Sequence, residues 1–357
     1  MPHLLVDLSY HGFGHIAQTA PVVNVLAELL PGLRVTLRSG APHELLAQRF
    51  HCDFTLVPQA LDFGMVMADA LAVRVEESAD AYRDFHRGWA GKVAREAEKM
   101  AALGPDLLFA NVPYLSLAAA ARAEIPAVAM CSLNWADIYA HYCHDRPEAA
   151  EIHQQMLDAY RSAVCFLRPQ PSMAMADLPN AREIGPIARL GRNRRAEIDA
   201  KLGLEAGGKL VLIAMGGVAF RLPLEGWPRL PGVRWVVQSS WRVRHPDAVE
   251  LEALGMDFTD VLASCDALLT KPGYGSFAEA ACNGVPVLYL DRKDWPEAPF
   301  LAAWLKQHGC GLEVGREALE RGEIINLWEA LRARPKKPPV EADGVRQAAD
   351  YLKKILV

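Results

Sequence analysis

Two histidines and two glycines stand close together near the start of the chain, in the stretch His11-Gly12-Phe13-Gly14-His15. An apolar run precedes them and a pattern with helical spacing follows, which predicts a strand-to-helix turn. Glycines let a ligand approach the backbone closely, and histidines can bind a metal or move a proton. The residue types therefore leave three kinds of chemistry open: phosphate binding, metal binding and proton transfer.

Phosphate and metal binding are the weaker two interpretations. Gly12 to Ala17 fits the G-x-G-x-x-A pattern of dinucleotide-binding turns, a weak signal by itself. The second strand ends in Arg38 rather than in the acidic residue that holds a ribose, so an NADP oxidoreductase stays open only as a distant alternative. His15 occupies the place where a pyrophosphate would contact bare backbone. His11 and His15 could share a metal only on one helix, and the glycines indicate a loop, so no metal site is predicted.

Proton transfer is the interpretation that fits His15 best. This histidine falls in the first turn of the predicted helix, where the positive end of the helix dipole favours a neutral imidazole near pH 7. A neutral imidazole can accept a proton from a hydroxyl group. We interpret His15 as the candidate base and His11 as the weaker candidate. The structural alternative is that His15 only caps or packs the helix.

A second glycine turn lies at Lys271-Pro272-Gly273-Tyr274-Gly275-Ser276, between an apolar run and a helix that we expect Ser276 to cap. Backbone N–H groups at such a helix start, with Ser276 and Lys271, suit a diphosphate. Glu279 could bind a ribose diol, or it could form a capping box with Ser276. Another glycine turn, Gly216-Gly217, ends a different apolar run and would let a ligand approach the backbone closely.

The elements that must position these turns alternate between short apolar strands and amphipathic helices. Such alternation is typical of α/β proteins whose parallel sheets are covered by helices. A chain of 357 residues is longer than a single hydrophobic core usually supports, so two domains are expected. The alternation of strands and helices also stops at residues 179–204 and starts again after them. This segment is rich in Pro, Gly and Arg and is interpreted as a linker. We predict an N-terminal domain over 1–187, a C-terminal domain over 188–340, and a final helix over 341–357 that packs back toward the first domain. Both glycine turns are expected to face a cleft between the domains.

Composition excludes several classes of protein. A net charge of −5 argues against nucleic-acid binding, which needs a basic surface. The seven cysteines form no C-x-x-C pair and are expected to be reduced thiols. The N-terminus lacks the pattern of a signal peptide, and no apolar run could span a bilayer, so a cytoplasmic location is expected, with peripheral membrane contact left open. The linker arginines are interpreted as solvated rather than as a patch for anionic lipid; they are Arg189, Arg192, Arg194 and Arg195.

With G-x-G-H near the N-terminus and G-x-x-[ST]-x-x-E in the second half, the sequence resembles GT-B glycosyltransferases, especially those that make lipid II. A tighter resemblance covers nearly the whole chain: it is to the N-terminal glycosyltransferase-like module of plant L-arabinokinases and its stand-alone bacterial relatives. The matching stretches are "HGFGH", "MADALAV", "SLNWADIYAHY", "TKPGYGSFAEA" and "DRKDWPEAPFL". The plant proteins continue into a sugar-kinase domain, and we do not carry kinase activity over to this chain.

The resemblance implies a GT-B fold of two Rossmann-like domains and a role for each matching residue. The first turn would hold the acceptor and the reacting sugar carbon, and the second half of the chain would hold the nucleotide and its diphosphate. The usual Asp/Glu-Gln pair for the donor sugar is absent, so Asp294 and Glu297 are the candidates there. The residues implied are Gly12, Gly14 and His15 for the reaction, Gly216, Gly217, Gly273, Gly275 and Ser276 for the diphosphate, Glu279 for the ribose, and Met256 and Phe258 for the base.

Three further candidates follow another apolar run. Asn134, Trp135 and Asp137 come just after a predicted strand end, where polar residues face the ligand side of a parallel sheet. Trp135 could stack on a sugar ring. The structural alternative is a satisfied buried network.

These observations predict a glycosyltransferase that moves a sugar from a nucleoside diphosphate sugar, UDP-linked, to a hydroxyl acceptor. The reaction is expected to be inverting and metal-independent, with no cofactor, because helix dipoles can replace a metal at the departing diphosphate. Alternatives are a hydrolase or an epimerase of sugar nucleotides on the same fold, and a non-catalytic sensor acting with a separate sugar kinase.

Overall fold

A computed structural model of the protein describes residues 1–69, 72–216, 221–335 and 337–357. The chain forms two compact units, of which the first comprises Met1–Ile187 with Asp343–Val357 and the second comprises Ala188–Ala342. Each unit is built on one sheet whose described strands all pair in parallel. The predicted class, two α/β domains on parallel sheets, is confirmed.

The first unit contains a seven-stranded sheet in the order β3-β2-β1-β4-β5-β6-β7. Its first strand is buried along its whole length, as expected for a central strand covered on both faces. The strands are β1 His3–Leu8, β2 Arg34–Ser39, β3 Thr55–Pro58, β4 Leu107–Asn111, β5 Ala127–Met130, β6 Cys165–Pro169 and β7 Ala181–Ile184.

Seven helices follow these strands, and the last helix of the chain completes the unit. They are α1 Phe13–Leu29, α2 His43–Ala47, α3 Val75–His86, α4 Trp89–Leu103, α5 Tyr114–Arg122, α6 Trp135–Cys143, α7 Ala149–Arg161 and, at the C-terminus, α14 Gly344–Leu356. Helix α14 is amphipathic and packs against α1 and β7. Its side chain Gln347 accepts a hydrogen bond from the N–H of Gly185 at 2.9 Å.

Two segments differ from the sequence-based expectation. Residues 76–104 have apolar residues at the spacing of one long helix, but they form α3 and α4, because Gly88 takes a left-handed conformation between them, with φ of 69°. The segment 179–204, expected to be a linker, contributes strand β7, which pairs with β6. It also begins the second unit with helix α8, Arg195–Leu202.

The arginines of that segment are largely neutralised. Arg189 pairs with Asp257 at 2.6 Å, Arg194 with Glu197 at 2.7 Å and Arg195 with Asp266 at 2.6 Å. A patch for anionic lipid needs unpaired positive charge, so these pairs agree with a solvated surface. Within the described residues, no helix is both long enough and apolar enough to cross a membrane.

The second unit contains a six-stranded sheet in the order β10-β9-β8-β11-β12-β13. Aliphatic residues from its strands pack with Trp227 and Trp235 in a buried core. The strands are β8 Lys209–Ala214, β9 Val233–Val237, β10 Ala248–Glu250, β11 Ala267–Thr270, β12 Val287–Leu290 and β13 Gly311–Val314. Besides α8, the helices are α9 Phe258–Ser264, α10 Tyr274–Cys282, α11 Ala298–His308, α12 Arg316–Glu320 and α13 Ile324–Arg332.

Candidate functional site

The histidine turn joins β1 to α1 in the first unit. Helix α1 has Gly12 as its N-cap, so His15 is its third residue, whereas His11 lies in the loop before it. The predicted place of His15, in the first turn of a helix, is confirmed. A Cβ atom added at Gly12 or at Gly14 would meet no other atom within 4 Å, so the space beside the turn is open.

The buried His15 ring is held by a chain of three polar side chains. Gln18 Nε2 donates a hydrogen bond to Ser132 Oγ at 2.8 Å, and Asn111 Nδ2 donates to Gln18 Oε1 at 3.2 Å. The remaining amide atom, Asn111 Oδ1, lies 2.9 Å from His15 Nδ1. All three partners are buried.

The direction of this chain assigns the tautomer of His15. Because Asn111 uses its amide N–H toward Gln18, its oxygen must accept, and Nδ1 of the imidazole must carry the proton. In the neutral ring, Nε2 then holds the lone pair that a base needs. Cys131 Sγ lies 3.7 Å from the same Nδ1 and completes the immediate surroundings of that atom.

Asn111 belongs to the candidate site, although no motif in the sequence pointed to it. It is the last residue of β4, the strand that pairs directly with β1. The available signal was a polar residue ending the apolar run "LLFAN", next to the strand that leads into the histidine turn. Only the strand order shows that these two runs are neighbours, since 96 positions separate His15 from Asn111.

Trp135 does not have the predicted role of stacking on a sugar. Its side chain is completely buried, and its indole Nε1 donates a hydrogen bond to Asp62 Oδ2 at 2.8 Å. Its ring centroid lies 5.2 Å from that of His11, edge to face, and 5.8 Å from that of His15. Trp135 therefore packs against the two candidate histidines, edge to face on His11 and tilted toward His15, and its predicted contact with a sugar is corrected to this buried contact.

Asn134 and Asp137 lie at the start of α6. Asn134 is fully buried, and its Oδ1 accepts a hydrogen bond from the N–H of Asp137 at 2.8 Å. Asn134 is therefore the N-cap of α6, which agrees with the alternative of a buried hydrogen-bonded residue. Its predicted sugar contact is corrected to a capping role. Asp137 is half-buried, and burial raises the pKa of its carboxyl group.

Arg38 cannot hold the 2′-phosphate of NADP. It is buried, donates two hydrogen bonds to Asp7 on the neighbouring strand β1, and donates a third to Glu96 on α4. A guanidinium group that is enclosed and bonded to two carboxylates has no surface to offer a cofactor. The NADP interpretation of the histidine turn therefore loses Arg38, the residue proposed to bind the 2′-phosphate.

In the second unit, three adjacent strands bring their loops to one edge of the sheet. Strand β11 lies between β8 and β12, and Thr270 at its end pairs with Ala214 and Tyr289. The Thr270 hydroxyl donates to the Ala214 carbonyl at 2.6 Å, which ties the ends of β8 and β11 together. Gly216, the turn at Gly273 and the loop after β12 consequently meet at this edge.

Lys271 and Gly216 lie next to each other at this edge. A Cβ atom added at Gly216 would come 3.4 Å from Lys271 Cε and 3.9 Å from its Nζ. The predicted partner Gly217 lies outside the described residues. Lys271 thus places a positive charge beside one of the two glycine turns that the sequence predicts to bind a diphosphate.

Helix α10 begins earlier than expected. Its N-cap is Gly273, so Gly275 and Ser276 are its second and third residues, and the first intrahelical bond runs from Phe277 N–H to Gly273. Ser276 is therefore not the N-cap, and a capping box between Ser276 and Glu279 is wrong. The N–H groups that precede Phe277 point out of the helix start, with no acidic residue in the first turn.

The predicted donor-side carboxylates lie in two places. Glu279 is half-buried in the second turn of α10. Glu297 is buried at the N-cap of α11, where it accepts a hydrogen bond from Trp295 Nε1 at 3.2 Å. Asp294 is exposed in the same loop, and the Arg292 guanidinium lies 4.2 Å from the centre of the Trp295 ring.

Phe258 is the first residue of α9. A Cβ atom added at Gly191 would lie 1.9 Å from the carbonyl of its neighbour Thr259, and the N–H of Gly191 bonds to Asn283, the C-cap of α10, at 2.9 Å. The assignment of Phe258 to the nucleotide base stays a prediction. Among the described residues, no group of three or more His, Cys, Asp or Glu side chains is arranged to hold a metal.

Solved structures resemble this architecture along its whole length. The calicheamicin glycosyltransferase CalG4 superposes with a TM-score of 0.69 at 18% identity, over 100% of this chain and 98% of its own. The chain has the GT-B fold. A UGT2 from Phytolacca americana, solved with UDP-2fluoro-glucose and pterostilbene, gives a TM-score of 0.57 at 13% identity, over 100% of this chain and 94% of its own. A UDP-N-acetylglucosamine 2-epimerase gives 0.55 at 15% identity, over 98% and 95%.

A curated relative matches at the level of sequence. The L-arabinokinase of Arabidopsis thaliana is 26% identical over 362 residues, which cover 97% of this chain and 34% of the relative. The chain thus spans about a third of that protein's length. No family model matches the sequence. The two resemblances drawn from the motifs, to GT-B glycosyltransferases and to plant L-arabinokinases, are confirmed.

Proposed function

We propose that this chain is a glycosyltransferase that moves a sugar from a UDP-linked donor to a hydroxyl acceptor, with His15 as the general base. The observation that carries the proposal is the chain of hydrogen bonds from Ser132 through Gln18 and Asn111 to His15. It places the proton on Nδ1 and leaves the lone pair on Nε2, as a base in this turn requires. His11, whose Nδ1 lies 3.1 Å from the Phe63 carbonyl, is the weaker candidate.

The chemistry is a single displacement at the anomeric carbon. Nε2 of His15 takes the proton of the acceptor hydroxyl, and the hydroxyl oxygen forms the new bond to that carbon. The bond from the carbon to the diphosphate oxygen breaks, and its electron pair leaves with the diphosphate. Attack opposite the leaving group inverts the configuration of the sugar. The open space beside Gly12 and Gly14 supports an approach of the reacting groups to this turn.

The second unit is proposed to bind the donor. The N–H groups at the start of α10, over Gly273 to Ser276, and the ammonium group of Lys271 beside Gly216 suit the charge that builds on the diphosphate. These groups supply the positive charge that a metal would otherwise provide, so we propose metal-independent transfer. Glu279 is proposed to bind the ribose hydroxyls, and Glu297 with Asp294 the hydroxyls of the donor sugar.

One alternative reaction has an observation in its favour. The UDP-N-acetylglucosamine 2-epimerase resembles nearly the whole chain, so its fold is compatible with epimerisation or hydrolysis of a sugar nucleotide. In those reactions, the sugar itself or water would replace the hydroxyl acceptor. Chromatography of the products with and without acceptors distinguishes the three: transfer makes a glycoside, hydrolysis a free sugar, and epimerisation a new sugar nucleotide.

The base is tested with His15→Gln, which keeps a polar side chain but removes the lone pair. We expect turnover to fall by about 10²–10⁴-fold, because that is the usual contribution of a general base. UDP binding, measured by calorimetry, is expected to stay within about twofold. Unchanged turnover would refute the role of His15. Tight UDP binding by the wild-type chain without any of the three products would favour a nucleotide-sugar sensor.

The donor side is tested by thermal shift with nucleotides. UDP and UDP sugars are expected to stabilise the chain and NADP is not. Glu279→Ala should weaken UDP binding about 10–100-fold, the effect of losing one or two hydrogen bonds to a charged group. Glu205→Ala, an exposed carboxylate of the same unit, is the matched control and should leave affinity unchanged. Activity that persists in EDTA is expected, and its loss would contradict metal independence.

A further inference from the structure

Three consecutive residues after β3 hold the side chains around the candidate base. Asp62 Oδ2 accepts hydrogen bonds from the Ser9 hydroxyl and from Trp135 Nε1. The carbonyl of Phe63 lies 3.1 Å from Nδ1 of His11. Gly64 has room for hydrogen only, because a Cβ atom there would come within 2.6 Å of the His11 ring and 2.8 Å of Trp135. None of these three residues belongs to a motif that the sequence singles out.

Asp62 thereby determines where the indole ring lies. Trp135 Nε1 is the polar end of a fully buried side chain, and its bond to the carboxylate fixes the rotation of the ring. The same ring contacts both histidines, with centroid distances of 5.2 Å to His11 and 5.8 Å to His15. Moving the carboxylate would shift the surface against which both imidazoles pack.

Asn111, which bonds to Nδ1 of His15, carries no charge. It fixes the tautomer of His15 but offers no carboxylate to the imidazolium that forms when the ring accepts a proton. Asp62 is the carboxylate that accepts the hydrogen bond from the Trp135 indole. The centroid distance of 5.8 Å between His15 and Trp135, half the indole and the 2.8 Å hydrogen bond together set an upper limit of about 10 Å between its charge and the imidazole.

We propose that Asp62 is a positioning residue for His15: it orients Trp135 against the imidazole and supplies the negative charge that stabilises the protonated base. The electrostatic part of this proposal holds whether or not the chain transfers sugars, whereas its catalytic meaning rests on the proposed function. At this upper limit of about 10 Å and an effective dielectric constant of about 20, one charge changes the titration midpoint of an imidazole by about one pH unit, and a shorter distance gives a larger change.

Several other ionisable groups lie around Asp62 in the described part of the chain. Asp7 on β1 is neutralised by Arg38. Burial raises the pKa values of the tyrosines that surround Asp62, which keeps them uncharged; these are Tyr82 on α3, Tyr114 on α5 and Tyr160 on α7. The imidazoles of His11 and His15 lie against the Trp135 ring, and the thiol of Cys131 lies 3.7 Å from Nδ1 of His15. Burial also raises the pKa of Asp62 to about 6, so its charge is present above that pH and disappears below it.

The test is an NMR titration of the His15 ring in the full chain, assigned by comparison with His15→Gln. Asp62→Asn keeps a hydrogen-bond acceptor for Trp135 and removes the charge, and it should lower the His15 midpoint by about one pH unit. Asp53→Asn removes an exposed carboxylate of the same unit and should leave the midpoint unchanged. An unchanged midpoint in folded Asp62→Asn would overturn the electrostatic role.

Two further measurements keep the proposal testable if Asp62→Asn fails to fold. In the wild-type chain, the His15 resonance should show a second inflection near pH 6, where Asp62 loses its proton, and its absence would count against the proposal. Trp135→Phe keeps an aromatic ring but loses the N–H, so kcat should fall by about tenfold or more with KM little changed if positioning matters; an unaltered kcat would contradict positioning. The titrations need no substrate, so they give a result even if no transfer activity exists.

Discussion

Gly64 lies where a methyl group has no space, and its replacement by alanine tests the architecture of the histidine site. An added Cβ would be 2.6 Å from Cγ and Nδ1 of His11 and 2.8 Å from Cη2 of Trp135. Gly64 also has φ of 64°, a left-handed conformation that costs an alanine about 1–2 kcal/mol. Overpacking of this kind adds about 1–3 kcal/mol. Gly64→Ala should therefore lower the free energy of unfolding by about 2–5 kcal/mol.

Gly88 provides a matched control in the same unit. Its φ is 69°, but an added Cβ meets no other atom within 4 Å. Gly88→Ala thus experiences the backbone strain without the collision, and the difference between the two variants isolates the contacts of His11 and Trp135. We expect Gly64→Ala to be about 1–3 kcal/mol less stable than Gly88→Ala.

Scanning calorimetry measures this difference. For a unit of this size, 1–3 kcal/mol corresponds to a midpoint about 3–9 °C lower for Gly64→Ala than for Gly88→Ala. The displaced imidazole of His11 should also change its NMR shifts in Gly64→Ala and keep them in Gly88→Ala. Equal midpoints for the two variants, or unchanged His11 resonances in Gly64→Ala, would refute the close packing of His11 and Trp135 over Gly64.

Two other predictions concern stability of the first unit. Burial lowers the pKa of His86 from 6.5 to about 4. Between these pH values His86 is protonated in the unfolded chain but not in the folded chain. The free energy of unfolding should therefore fall by up to about 3 kcal/mol from pH 7 to pH 4. His86→Gln should flatten this part of the pH profile of urea unfolding, and an unchanged slope would contradict the assignment. Arg38→Ala leaves the carboxylates of Asp7 and Glu96 buried without their cation and should cost about 3–5 kcal/mol in the same assay, whereas a loss below about 1 kcal/mol would show that water reaches them.

The order of strands and helices was largely predictable, because it depends on local apolar spacing. Both glycine turns follow strands and begin helices as expected, and His15 lies in the first turn of α1. The errors occur where local patterns are ambiguous. Gly88 breaks a long helical pattern, "AREI" at 181–184 is too short to be distinguished from a linker, and Gly273 replaces Ser276 as the N-cap of α10.

The side-chain network of the candidate site was less predictable. Asn134 and Trp135 were singled out because they follow a strand, but a strand end does not reveal whether a side chain is open to ligands or buried. The contacts that bury them come from residues far away in the sequence, such as Asp62 for Trp135.

By itself the sequence determined that two parallel-sheet units exist, that a glycine turn opens a helix in each, and that a histidine stands at the start of one of these helices. These properties follow from periodicity and from backbone preferences within about ten residues. Only the tertiary structure decided that His15 pairs with Asn111 and that Trp135 bonds to Asp62, across separations of 96 and 73 positions. Such partners depend on which strands become neighbours in the sheet, and burial of the whole core, rather than any local pattern, selects that order.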